Sequence, residues 1–144
     1  MANQISNKID TMVKTTVGAI IEKDRKILVI KRNVEPFKGS WAIPGGHIEK
    51  YETAAEAVKR EIKEETDLNV QPTFLFYIDE INSGIEPKFD GHSVVLVFYA
   101  KTNGKARINE ESSEFKWVRP EEAVRLKLGF SNSKIIRKWM GLKV

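Results

Sequence analysis

Residues 46–68 constrain this chain more than any other stretch. Gly46 opens a turn, and a helix follows whose last two turns hold Arg60, Glu61, Glu64 and Glu65. Thr53 and Glu56 have the Thr-x-x-Glu spacing of a capping box, so the helix starts directly after the glycine turn. At about 100° per residue, Ala55, Val58 and Ile62 share one narrow stripe, expected to face the core. Glu56, Lys59 and Lys63 fall opposite, towards solvent. A third face carries Ala54, Ala57, Glu61, Glu64 and Glu65, and its alanines are expected to leave room for a ligand. Glu61 and Glu65 stand one turn apart with Glu64 beside them, so their oxygens can converge. Three carboxylates this close repel one another unless a proton or a cation intervenes. Clustered hard oxygens suit Mg²⁺, and Mg²⁺ suits a polyphosphate under attack by water.

A glutamate-rich helix alone is ordinarily a solvated surface, and the wider spacing decides otherwise. The pattern Gly-x5-Glu-x7-Arg-Glu-Ile-x-Glu-Glu-x2-Leu fixes six residues and two apolar positions between Gly46 and Leu68. With each residue type used at roughly 5–10%, its chance occurrence at a given start is on the order of 10⁻⁸. The pattern resembles the signature of the Nudix hydrolases, Gly-x5-Glu-x7-Arg-Glu-U-x-Glu-Glu-x-Gly-U with U apolar. "KILVIKR", "FKGSWAIPGG" and "SSEFKWV" also resemble the usual layout, so the likeness covers most of residues 13–138. Two positions depart from it. Asp67 replaces the second Gly of the signature, and Tyr51 stands where many members have Gly before Glu52. Asp tolerates the left-handed conformation expected at a helix end better than most residues, so a modest stability cost and an intact site follow.

The resemblance implies an α/β chain folded as an α/β/α sandwich with a mixed β-sheet. It implies that Glu61, Glu64 and Glu65 bind metal, with the Gly46 carbonyl as a further ligand, and that Mg²⁺ is the cofactor, with Mn²⁺ as a substitute. Glu61 is the candidate to orient or deprotonate the attacking water. Arg60 would hold a carboxylate by a charge-assisted pair with Glu52, which makes Glu52 structural. A further acidic group is expected shortly before the late Trp strand. Of Glu110, Glu111 and Glu114, Glu111 has the best spacing from Trp117.

The implied substrate is a nucleoside diphosphate linked to a group X. "KRNVEPFKGSWAIPGG" looks most like the branch that cleaves ADP-ribose and nucleotide sugars, where homodimers are frequent. The alternative is a MutT-like nucleoside triphosphate pyrophosphohydrolase. Behind these stand a non-catalytic nucleotide sensor and an RNA 5′-end pyrophosphohydrolase. Specificity is expected from residues 33–41 and from the loop 82–92. Phe37 and Trp41 could stack on a base, and Arg32 or Lys38 could meet a phosphate. By the residues alone, Trp41 can equally pack beside the turn and Arg32 simply end a strand. His47 and His92 form no metal pattern and read as a turn and a loop residue.

At 144 residues the chain has room for one domain spanning 1–144, with 1–12 as a polar N-terminal extension. It has no cysteine, which removes disulfides and thiolate sites. The start lacks the apolar run of a signal peptide, and no stretch approaches the ~18 apolar residues of a membrane span. A cytoplasmic location follows as the default. Lys and Arg number 24 against 20 Asp and Glu, a net charge of +4, but they are scattered, which argues against a nucleic-acid partner. The late run "SKIIRKWMGLK" reads instead as a surface helix with Ile135, Ile136 and Trp139 inward, capped by Ser131 or Ser133. "TTVGAIIE" and "KILVIKR" read as a hairpin joined at "KDR". "TFLFYIDEI" and "HSVVLVFYAKT" form a second strand pair. "FKWV" reads as a short strand, with a helix from Pro120 to Val124 after it.

Overall fold

The computed structural model describes residues 12–81 and 91–143. The polar extension therefore lies outside the described residues, apart from Met12, as does most of the 82–92 loop. Strand β1 (Lys14–Lys23) turns through Asp24 and Arg25 into β2 (Lys26–Arg32). Both turn residues have positive φ, 52° and 66°, as a two-residue hairpin turn matched to strand twist requires. Short β3 (Trp41–Ala42) and β4 (Gly45–His47) precede helix α1 (Ala54–Thr66). Strands β5 (Thr73–Ile81), β6 (His92–Lys101) and β7 (Ser112–Val118) follow, then α2 (Pro120–Ala123) and α3 (Asn132–Lys143). His92 thus begins a strand and His47 ends one, rather than lying in a loop and a turn.

The strands form one mixed sheet. β1 runs parallel to β6 from Lys14↔Ser93 to Glu22↔Lys101, and β6 is antiparallel to β5. β1 and β2 pair only beside their turn, at Glu22↔Ile27 and Lys23↔Lys26. Beyond that point β2 joins β7 and β3, and β4 takes its place on β1 through Val17↔Gly46 and Gly18↔Gly45. This splay inserts the glycine segment into the sheet beside α1.

Both faces of β1 are covered, which explains its nearly unbroken apolar run. Val17, Ala19 and Ile21 pack with Leu28 against Ala57, Val58 and Ile62 of α1. Ile20 packs on the opposite face with Ile27 and Val29 against Ile135, Ile136 and Trp139 of α3. The architecture is the expected α/β/α sandwich. No described helix is long and apolar enough to cross a membrane.

Helix α1 begins with the expected capping box: the Glu56 N–H donates to Thr53 Oγ1 at 3.1 Å and the Thr53 N–H to Glu56 Oε1 at 2.9 Å. Its buried face differs from the expected stripe. Ala55 is exposed, whereas Ala57 is fully buried with Val58 and Ile62. The helix packs over both β4 and β1, which rotates Ala57 inward. The small side chain there permits close approach to the sheet instead of clearing space for a ligand. At the other end Asp67 takes a left-handed conformation, φ 61° and ψ 16°, and its N–H donates to the Lys63 carbonyl.

Tyr51 also has positive φ, 70°, and its side chain is 94% exposed. The conformation strains a residue with a Cβ, and little packing offsets the strain. Tyr51→Gly is expected to stabilise the fold by roughly 0.5–1 kcal/mol after the entropy cost of glycine. Thermal denaturation should show a rise of about 2 °C; a lower melting temperature would show that Tyr51 is held by more than backbone geometry.

Candidate active site

The site begins with two glycines. The Gly45 N–H donates to Glu65 Oε1 at 3.1 Å. Glu61 lies so close to Gly46 that a Cβ on residue 46 would overlap its carboxyl group, and a Cβ on Gly45 would overlap the Val17 carbonyl. The preceding residues are tied down on both sides. The Pro44 carbonyl accepts from the Ala19 N–H at 2.9 Å, and the Ile43 N–H donates to the buried Asn132 side chain at 3.0 Å. The glycine segment is thus a rigid shelf under the carboxylates of α1.

Arg60 is the electrostatic centre of the neighbouring region. It forms a two-pronged pair with Glu52, Nε to Oε2 at 2.7 Å and Nη2 to Oε1 at 2.9 Å. It also donates to the His47 carbonyl at 3.0 Å, to Glu61 at 3.0 Å and to Glu64 at 3.3 and 3.4 Å. Glu49 adds an outlying carboxylate at 3.7 Å, and its N–H donates to Glu52 at 3.0 Å. The Arg60 contact is the main reason the Glu52 carboxyl is pulled from 4.5 down to about 2, and the Glu49 N–H assists. Arg60 itself holds its proton more tightly than a free guanidinium, chiefly through Glu52.

Glu61 and Glu65 come together, as expected. The Glu65 carboxyl sits well above the usual carboxylate range, first because it is buried, then because of the hydrogen bond and charge of Glu61. The Gly45 N–H opposes this rise, and the charge of Glu111 adds to it. Glu64 is placed differently: its side chain is 55% exposed and turned to Arg60. Among the described residues no three acidic or histidine side chains are gathered into a ready-made metal cage. The donor chemistry nonetheless fits a divalent cation, because two facing carboxyl groups with a third charge nearby are what such an ion would relieve.

Arg32 lies within electrostatic reach of Glu65 and Glu111. Its Nε donates to the Pro36 carbonyl at 2.7 Å, and its guanidinium carbon sits 4.9 Å from the centre of the Phe130 ring. Burial weakens its hold on its proton, while the charges of Glu65, Glu111 and Glu35 strengthen it. Arg32 and Glu111 thus share the field of the α1 carboxylates. Lys38 is exposed, and its backbone N–H donates to Glu35. Trp41 is only 7% exposed and packs in the core, with the Lys31 and Lys116 ammonium groups over its ring. Phe37 packs on Phe130 with ring centres 4.5 Å apart.

Phe130 and Asn109 are not among the residues singled out from the sequence. Phe130 is far from Arg32 along the chain, and no local signal joins them. Asn109 does carry a signal, because an Asn two residues before Glu111 has the spacing of an Asx turn.

Residues 12–139 match the family model described as NUDIX domain. The ADP-ribose pyrophosphatase of Methanocaldococcus jannaschii is 39% identical over 128 residues, 88% of this chain and 73% of that protein. The nucleoside triphosphatase NudI of Escherichia coli is 33% identical over 135 residues, 86% of this chain and 94% of that protein. Among solved structures, the NUDIX domain of Shewanella oneidensis NrtR, complexed with ADP ribose, superposes with a TM-score of 0.78 at 22% identity, covering 99% of this chain and 98% of that one. A MutT NUDIX hydrolase from Burkholderia pseudomallei gives a TM-score of 0.69 at 31% identity, covering 76% and 85%.

The Glu52–Arg60 pair makes stability depend on acidity. The folded pKa of Glu52 lies below its ordinary value, so its contribution is complete above about 4.5 and is lost as pH falls towards about 2. Glu52→Gln is expected to melt at a lower temperature than the parent at neutral pH. Melting curves taken across that window should converge at its acid end; a constant gap would locate the role of Glu52 elsewhere.

Proposed function

We propose that this chain, which belongs to the Nudix hydrolase family, uses Mg²⁺ to cleave the phosphoanhydride of a nucleoside diphosphate linked to X, with ADP-ribose or a nucleotide sugar as substrate. The observation that carries the reading is the convergence of Glu61 and Glu65 on the Gly45–Gly46 shelf, with Arg32 beside them. Glu61, Glu64, Glu65 and the Gly46 carbonyl would hold the cation. When bound, it would neutralise diphosphate charge and polarise the bond to be broken.

The chain's own residues do the rest. Glu61 orients the attacking water and accepts its proton, and Glu111 supplies a second carboxylate facing the same space. Arg32, held by Pro36 and Phe130, presents a guanidinium to a phosphate. Arg60 keeps the α1 carboxylates in place through its contacts with Glu52 and His47 and does not meet the substrate. Substrate preference rests with the Asn33–Trp41 segment and the 82–92 loop. A cytoplasmic setting belongs to the same reading.

The relative named ADP-ribose pyrophosphatase supports the diphosphate substrate. The likeness to NudI over nearly its whole length supports a second reading, a nucleoside triphosphate pyrophosphohydrolase. Chromatographic product analysis with Mg²⁺ on ADP-ribose, nucleotide sugars, ordinary and oxidised dNTPs and dinucleoside polyphosphates separates the two. Release of AMP and ribose 5-phosphate from ADP-ribose is expected; selective release of pyrophosphate from a triphosphate would favour the second reading. Glu64→Gln should lower the rate by about 100-fold or more while the fold persists. A fully active variant would overturn the proposed metal set.

A further inference from the structure

The segment before β7 crosses the C-terminal end of α1, where helix carbonyls lack partners within the helix. Two of them are met by this segment. The Arg107 N–H donates to the Thr66 carbonyl at 2.9 Å, and Asn109 Nδ2 donates to the Glu64 carbonyl at 3.0 Å. The other side-chain atom of Asn109, Oδ1, accepts from the Glu111 N–H at 2.9 Å. Glu111 is gripped on its carbonyl side as well, because that oxygen accepts from the Asn33 N–H at 2.9 Å. Asn33 Nδ2 donates to the Glu110 carbonyl at 3.2 Å. The next residue, Ser112, pairs with Arg32 across β2 and β7 at the site of a register shift.

We infer that Asn109 is a positioning residue: its amide bridges the Glu64 carbonyl of α1 and the Glu111 N–H, fixing the Glu111 backbone relative to the α1 carboxylates. This inference deepens the functional reading above and rests on it. A carboxylate on an exposed loop has many rotamers and a mobile backbone. Here both backbone groups of Glu111 are bonded, one through Asn109 to the helix that carries Glu61 and Glu65, the other to the residue after Arg32. Motion of Glu111 away from the helix must break the Asn109 bridge.

The rival role for Asn109 is only to cap the helix end. Such a role would lower the melting temperature without acting through Glu111. A double-mutant cycle separates the two. In wild-type background Asn109→Ala should lower kcat by about 10- to 100-fold with KM little changed. In a Glu111→Gln background the same substitution should lower kcat by no more than about twofold. Asn109→Ser keeps a short acceptor for the N–H two residues on but is too short to span to Glu64. It should leave kcat about as low as Asn109→Ala does, because the turn at Glu111 persists while the tie to α1 is lost, and it serves also if Asn109→Ala folds poorly. Unchanged kcat in Asn109→Ala, equal losses in both backgrounds, or a wild-type kcat in Asn109→Ser would each overturn the inference while leaving the hydrolase reading standing. A wild-type chain inactive on every nucleotide tested would instead remove that reading, and the inference with it.

Discussion

The structure depends on how closely α1 approaches the sheet. Helix α1 can lie over β1 and β4 because Ala57 fills the contact and because Gly45 and Gly46 carry no side chains. That approach brings Glu61 and Glu65 down onto the backbone of residues 45–46. Packing and chemistry are therefore set by one constraint. A side chain at residue 46 would lift the helix or expel the Glu61 carboxyl, and either change would separate the acidic pair.

Bringing carboxylates together is unfavourable, and the surroundings show how the fold sustains it. Arg60 neutralises the outer side of the cluster, with Glu52 and the His47 carbonyl completing its shell. On the inner side the Gly45 backbone N–H supports Glu65 against burial and the charges of Glu61 and Glu111. Arg32 offsets part of that charge, and it is itself partly desolvated and packed against Phe130. The acidic pair thus feels two arginines in different surroundings. Arg60 is fully engaged with protein groups, while Arg32 is the arginine that the proposed reading assigns to a phosphate.

Local chemistry was legible in the sequence. The Thr53–Glu56 box, the left-handed Asp67, the turn at Asp24–Arg25 and the inward Ile135, Ile136 and Trp139 each follow from neighbours within a few residues. The Arg60–Glu52 pair was also legible, because the resemblance ties those positions together. What stayed hidden depends on tertiary placement. The burial of Ala57 rather than Ala55 follows from the pairing of β4 with β1, which helical periodicity does not contain. Whether Trp41 packs or stacks on a base stays open from its neighbours alone, and only the fold puts the lysines of two different strands over its ring. Phe130 meets Arg32 from a distant part of the chain, and Asn109 meets Glu64 only because the chain crosses the end of α1. The 82–90 part of the expected specificity loop lies outside the described residues.

The central claim is that Glu61 and Glu65 are held together so that they can share a cation. Calorimetric titration of Mn²⁺ into the chain and into Glu65→Gln, without nucleotide, tests it most directly. The account predicts saturable binding to the parent and at least about tenfold weaker binding to the variant, as expected when a metal-ligating charge is lost. Equal affinity in the two proteins would contradict it, because the acidic pair would then have no part in holding the ion.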